Sequence, residues 1–348
     1  MASYTQAIVK EIEAQAPFLR QAGPASSVFI GGGTPTVLPI VQLERIIDAI
    51  RENIPREPNA EFTVEANPGT VTLEHMTALY TMGVTRLSIG AQTFEDDILE
   101  RIGRVHTAQD IRDAVRWARA AGFTNVSIDL MYGLPGQTLK NLKDSIGSAM
   151  DLAATHMSVY GLQVEDGTPL KAQLEAGEIT LPSEEETEAM YDYVVSMLPP
   201  FGFNRYEISN FARDGFESRH NLGYWSDMPY IGFGASAHSY WNGRRTANLR
   251  TPEEYIASIE RGESPARPEE AATPEIQMEE FCFLELRTIR GIDREQFEKR
   301  FGRTVESVYQ DVIEDLTKKG LLTSDDKYYR LTPQGMKVGN VAFRAFIL

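Results

Sequence analysis

Cysteine is nearly absent from this chain of 348 residues, with Cys282 the single instance. Counting alone therefore excludes disulfides within the chain, four-cysteine zinc sites and thiolate-ligated clusters. Long apolar runs are missing too. No stretch approaches the roughly 18 apolar residues of a spanning helix, and Lys10, Glu11, Glu13 and Arg20 interrupt the first 25 residues, unlike a signal peptide. A cytoplasmic protein is expected. Basic residues are in deficit: 34 Lys and Arg stand against 50 Asp and Glu, a net charge of −16. Such a surface repels a phosphate backbone, so no nucleic-acid partner is expected. What is present suits a globular protein. At 42% hydrophobic and 24% charged residues the chain can bury a sizeable core, and its length allows one large domain plus a small one.

Up to about residue 165 short apolar runs alternate with amphipathic stretches, the pattern of βα units around a parallel sheet. Strands are expected at Ser27 to Ile30, Glu61 to Glu65, Arg86 to Gly90, Asn125 to Leu130 and Met157 to Leu162. The helices between them fall near Tyr4 to Leu19, Leu43 to Asn53, Leu73 to Met82, Ala108 to Ala121 and Thr138 to Leu152. Such repeats close into a full or partial (β/α) barrel with function at the C-terminal strand ends, a doubly wound sheet being the competing architecture. Ser183 and Glu186 form a capping box for a helix reaching about Met197, and Phe203 to Ile208 reads as a further strand. Residues 210–245, rich in Gly, Asn, Tyr and Trp without clear periodicity, read as site-building loops. The barrel would occupy residues 1–250. Prolines 265, 268 and 274 mark a linker over 251–273, and 274–348, with a hairpin made of Gly320 to Leu322, the polar turn Ser324 to Lys327 and Tyr328 to Leu331, reads as a small winged-helix-like unit.

Several motifs carry chemistry. Gly31-Gly32-Gly33-Thr34-Pro35-Thr36 follows the first strand, and its three glycines let a loop run flat and expose backbone groups to a ligand. Neither a phosphate-binding Gly-Lys-Ser/Thr ending nor the G-x-G-x-x-G spacing is present, so a tight rim turn and a cofactor contact weigh about equally. Glu65, Gln92 and Asp129 end successive strands and would converge on one rim, where a carboxylate accepts hydrogen bonds from hydroxyls or an ammonium. Capping of the next helix is the bland alternative for each. Three together after a triple glycine favour a site. Arg104 could clamp a carboxylate, although most such arginines are solvated. His220-Asn221-Leu222-Gly223-Tyr224-Trp225 sets an imidazole beside two aromatics, which suits an axial haem ligand, while a structural histidine is the commoner case. His238 is a second candidate of the same kind. Cys282, between Phe281 and Phe283, reads as a buried small hydrophobe.

Taken in order, Gly31 to Thr36, Glu65 to Gly69, Arg86 to Gln92, Arg101 to His106, Asp129 to Pro135 and His220 to Trp225 resemble the haem chaperone (HemW-type) group of the radical S-adenosylmethionine (radical SAM) superfamily. That group is similar to the oxygen-independent coproporphyrinogen III oxidases. The resemblance covers nearly the whole chain. It implies a partial (β/α)6 radical SAM barrel, here without its first strand, and a family-specific C-terminal domain. It implies that Gly32, Gly33 and Thr34 contact the methionine part of S-adenosylmethionine (SAM). Glu65, Gln92, Arg104 and Asp129 match positions that bind its ribose or amino-acid end, and Gln163 matches a further contact at which the oxidases carry a different residue. The His220 to Trp225 motif is typical of the chaperones and not of the oxidases. It implies haem binding, with His220 as candidate iron ligand beside Tyr224 and Trp225, and delivery to respiratory haem proteins, which would supply the only membrane contact. The alternative, oxidative decarboxylation of coproporphyrinogen III, requires a [4Fe-4S] cluster held by Cys-x3-Cys-x2-Cys. This chain has no such motif and begins in the helix expected after it. No catalytic residue is therefore assigned, and reductive SAM cleavage by the chain as it stands is not expected.

Overall fold

The computed structural model describes residues 1–269 and 271–347; residue 270 of the expected linker and residue 348, the end of the expected C-terminal unit, lie outside the described residues. The first half alternates helix and strand as α1 (Ala2–Ala22), β1 (Ala25–Ile30), α2 (Ile40–Asn53), β2 (Arg56–Ala66), α3 (Leu73–Thr81), β3 (Arg86–Gln92), α4 (Asp96–Arg101), α5 (Ala108–Ala121), β4 (Asn125–Tyr132), α6 (Leu139–Asp151) and β5 (His156–Gly161). There follow α7 (Pro169–Glu175), α8 (Glu184–Met197), β6 (Asn204–Arg205), β7 (Asn210–Ala212), α9 (Arg219–Trp225), β8 (His238–Trp241), β9 (Arg244–Asn248), α10 (Pro252–Glu260) and β10 (Ala266–Pro268). The C-terminal part holds α11 (Pro274–Glu285), β11 (Ile292–Asp293), α12 (Arg294–Phe301), α13 (Val305–Lys318), β12 (Leu322–Ser324), β13 (Tyr328–Leu331), α14 (Pro333–Lys337) and α15 (Gly339–Ala345). No helix among the described residues is long and apolar enough to cross a membrane.

β1 to β5 are parallel neighbours in chain order, and β7 then β6 extend the sheet antiparallel to seven strands in the order β1-β2-β3-β4-β5-β7-β6. This is an α/β partial barrel. Local chemistry sets its helix starts: Thr107 with Asp110, Thr138 with Asn141 and Ser183 with Glu186 form reciprocal capping boxes at α5, α6 and α8.

The strands sort their residues by parity. Phe62, Val64 and Ala66, Leu87, Ile89 and Ala91, Val126, Ile128 and Leu130, and Met157 and Val159 are buried in one hydrophobic core with the helices. Each fully buried Ile or Leu there contributes about 1.5–3 kcal/mol. The alternate positions face the barrel interior and are polar. In register, Glu65 neighbours Ser88, Ser88 neighbours Ser127, and Ser127 neighbours His156.

Three expectations are corrected. The strand read at Phe203 to Ile208 shrinks to β6 (Asn204–Arg205), which pairs antiparallel with β7 beyond it, and Tyr206 and Glu207 between them turn their side chains into buried hydrogen bonds. The loops read over 210–245 contain α9, started by the Ser218 hydroxyl accepting from the Asn221 amide, and the hairpin β8–β9. The stretch 251–273 carries α10, capped by Thr251, and β10, which pairs with β9. Tyr255 of α10 is fully buried, its hydroxyl donating to Glu11 of α1 at 2.6 Å, so this segment packs onto the barrel. The C-terminal helices and the small sheet β11-β13-β12 enclose a second hydrophobic core, with Cys282 buried in it as expected.

Candidate functional site

At the C-terminal ends of β2 to β5 a cleft of about 160 Å³ is lined by Gly33, Thr34, Glu65, Ala66, Asn67, Ser88, Gly90, Gln92, Arg104, Asp129 and Tyr160. Asp129 accepts from three serines of three adjacent strands: Ser88 at 2.9 and 3.1 Å, Ser127 at 3.0 Å and Ser158 at 2.7 Å. Glu65 is held by the Gly32 amide at 3.1 Å, and burial, reinforced by the charge of Asp129, raises its carboxyl pKa above the usual range. Two half-buried acids facing one cleft favour a polar ligand carrying positive charge or hydroxyl donors.

Local backbone shape makes this possible. Gly32 adopts φ 80°, and a Cβ at Gly31 would come within 2.6 Å of the Glu65 carboxyl carbon. Gln92 takes the left-handed φ of 66° where the β3–β4 register shifts, and its amide oxygen accepts from the Tyr160 hydroxyl at 3.3 Å. Burial, then Asp129, push the Tyr160 hydroxyl up to about 12, so it stays a donor. Arg104 donates to the Gly90 carbonyl at 3.3 Å, leaving its buried Nε without a partner. Gly33, Thr34, Glu65, Gln92, Arg104 and Asp129 are thus brought together, with Gly32 behind Glu65. Gln163 is exposed beyond β5 and does not line the cleft.

His220 lies elsewhere. Its ring stacks on Phe29 of β1 with centroids 4.8 Å apart and planes at 19°, and meets Tyr224 edge-on at 4.7 Å. Nδ1 is 3.0 Å from the Ser27 hydroxyl, while Nε2 makes no hydrogen bond among the described residues. Burial lowers the imidazole pKa, so the ring is neutral near pH 7. Tyr224 continues edge-on to Tyr230 at 4.8 Å. Trp225, at the other end of α9, carries the Arg287 guanidinium 4.5 Å from its ring centroid. His238 is not part of this cluster: it is exposed on β8, with Nδ1 3.2 Å from Glu269.

Reading motifs alone misses Ser27, Glu61, Ser88, Ser127, His156, Ser158, Tyr160 and Tyr206. For all but Tyr206, which lies between β6 and β7, the shared signal is the polar member of each alternating strand pair, opposite the apolar positions that mark the core. All but Tyr160, which bonds Gln92, are joined through one hydrogen-bonded layer. Ser127 joins Asp129 to His156 Nδ1 (2.8 Å), His156 Nε2 meets the Tyr206 hydroxyl (2.8 Å), and that oxygen accepts from the Ser218 amide (3.3 Å) at the start of α9.

Comparison with known proteins agrees with this fold. The Radical SAM superfamily profile matches residues 3–149, and that of the HemN C-terminal domain matches residues 272–338. The chain is 45% identical over 322 residues to the heme chaperone HemW of Bacillus subtilis, covering 92% of this chain and 85% of that protein. It is 30% identical to the heme chaperone HemW of Escherichia coli, over 99% and 89% of the two chains. Among solved structures, coproporphyrinogen III oxidase (HemN) of Escherichia coli, described as a radical SAM enzyme, superimposes with a TM-score of 0.84 at 23% identity, covering 99% of this chain and 82% of that one. At that identity the likeness is one of fold.

Proposed function

Because the chain belongs to the HemW haem-chaperone family of the radical SAM superfamily, we propose that it binds haem through His220 and passes it to haem proteins of respiration. The observation that carries this reading is the state of His220: a neutral imidazole with one ring nitrogen held by Ser27 and the other unpartnered, set among Phe29, Tyr224 and Tyr230. A neutral imidazole is a usual axial ligand, and flat aromatic rings suit the faces of a macrocycle. We infer that the chaperone works in the cytoplasm and meets the membrane only at its acceptors.

The superfamily implies SAM and a [4Fe-4S] cluster, and the residues fit these two groups differently. The rim cleft suits SAM: Gly33 and Thr34, with Gly32 behind them, would face its methionine part, and Glu65, Gln92, Arg104 and Asp129 its ribose or amino-acid end. The cluster is not fitted. The one cysteine is buried inside α11, its thiol pKa pushed well up by burial, and no group of three His, Cys, Asp or Glu among the described residues could hold a metal ion. The full-length relatives at 45% and 30% identity are named haem chaperones, while coproporphyrinogen III oxidase is alike in fold at 23%, so delivery of haem is the better reading of this chain.

The test is haem titration of the wild-type chain and single variants. His220→Ala changes the Soret band and weakens haem retention, whereas His75→Ala on α3 changes neither. His238→Ala leaves both unchanged if His220 is the ligand. One spectrum and one affinity for the wild type, His220→Ala and His238→Ala would overturn histidine ligation here.

A further inference from the structure

Ser27 and Glu61 are register partners on β1 and β2, side by side on the interior face of the sheet. Each holds a different part of His220. The Ser27 hydroxyl lies 3.0 Å from Nδ1 of the ring. Glu61, although only 7% exposed, forms no ion pair among the described residues. Its carboxylate instead accepts from the Arg219 amide at 3.0 Å, the His220 amide at 3.2 Å and the Ser218 hydroxyl at 3.2 Å. Those groups open α9, so a charged oxygen pair takes up otherwise orphaned amides of its first turn. Phe29 under the ring and Tyr224 at its edge restrict rotation about the remaining side-chain bonds.

We propose that Ser27 and Glu61 are positioning residues that present Nε2 of His220 as the haem-iron ligand: Glu61 fixes the backbone that carries the ring, and Ser27 fixes the ring's tautomer. This rests on the haem reading above and deepens it. With Nδ1–H donating to the serine oxygen, the lone pair needed by iron is left on Nε2, the nitrogen with no partner. A hydrogen bond at the remote nitrogen also raises the basicity of a ligating imidazole, and loss of such a partner typically weakens metal binding about 10–100-fold.

The experiment uses the full chain with ferric protoporphyrin IX as probe, comparing wild type, Ser27→Ala, Ser27→Thr, Glu61→Gln and His220→Ala. Two readouts are taken: haem affinity, and the iron–histidine stretching frequency of the reduced five-coordinate complex, which senses the bond made by Nδ1–H. Ser27→Ala is expected to lower affinity about 10-fold and shift the stretch to lower frequency. Ser27→Thr, which keeps the hydroxyl, restores both. Glu61→Gln keeps the stretch but weakens haem retention, because the amide keeps one acceptor oxygen for donors that two carboxylate oxygens share, the Thr63 hydroxyl at 3.4 Å among them. Should Glu61→Gln fail to fold by circular dichroism, the Ser27 pair decides alone. If His220→Ala abolishes ligation while Ser27→Ala keeps the wild-type stretch and affinity, positioning is overturned and the haem reading stands. If His220→Ala changes nothing, the haem reading itself fails.

Discussion

The Nε2 of His156 lies 2.8 Å from the Tyr206 hydroxyl in the fully buried floor of the barrel. Asp129 accepts the Ser127 hydroxyl proton, so His156 Nδ1 must donate to Ser127, Nε2 must accept from Tyr206, and the tyrosine oxygen accepts the Ser218 amide. Burial holds the His156 pKa well below its usual value, as this neutral tautomer requires. Tyr206→Phe leaves His156 Nε2 and the Ser218 amide unpartnered and is expected to destabilise the fold by about 1–3 kcal/mol. Denaturant unfolding checks it; a midpoint equal to wild type with the same slope would refute the wiring.

A pH dependence follows from Glu285, buried in α11 and 3.4 Å from Arg290. Burial raises its carboxyl to about 7 from an exposed value of 4.5, with the charges of Asp293 and Asp227 adding to the rise and Arg290 opposing it. The folded state therefore keeps this proton where the unfolded chain has lost it. The resulting stabilisation is complete below the exposed value and is lost as pH rises through about 7. Across that window wild type should lose up to about 1.4 kcal/mol per pH unit relative to Glu285→Gln, in which other titrations cancel. Parallel unfolding curves at several pH values measure the difference, and a constant gap would dismiss it.

SAM should bind the isolated chain weakly. The cleft supplies Glu65, Gln92, Arg104, Asp129 and backbone groups, but no thiolates for an iron that could chelate the amino-acid end. Rim contacts alone suggest a dissociation constant of about 0.1–1 mM, or roughly −5.5 to −4 kcal/mol. Calorimetry yielding an affinity equal to that of a cluster-loaded relative would contradict this.

β1 lies at one end of the seven-stranded order with β2 as its only strand partner among the described residues. An open edge of this kind templates pairing with another chain. Self-association rising with protein concentration is expected in sedimentation velocity; a monodisperse monomer with a cooperative, high-temperature melt would count against it.

The parallel barrel was readable because its signals are local and repeated. Leu87, Ile89 and Ala91 alternate with Arg86, Ser88 and Gly90, and capping residues mark where α5, α6 and α8 begin. The rim set was readable because strand ends converge by geometry. Gln163 was not excluded by sequence, since its distance from the rim depends on the path taken after β5. α9 escaped notice because seven residues containing Asn221, Gly223 and two aromatics have little helix propensity. Beside the local Ser218 cap, its first turn is held by Glu61, 159 positions away from His220, and no local pattern encodes such a contact. The triple glycine read as a flat loop, whereas the tightest constraint is at Gly31, where an added Cβ would strike both Phe29 and Glu65.

Glu61 of β2 grips the first turn of α9 and Arg287, just past α11, covers Trp225 at its last, so the helix is held at both ends by residues distant in the chain. Its phase is thereby fixed at both ends. Each α-helical residue advances about 100° and 1.5 Å, so inserting or deleting one between His220 and Trp225 would rotate one aromatic out of its seat whichever end stayed docked. Substitutions at Leu222 or Gly223 keep the count and the phase. A change of length by a single residue would instead force a choice between the imidazole on the sheet and the indole under the arginine.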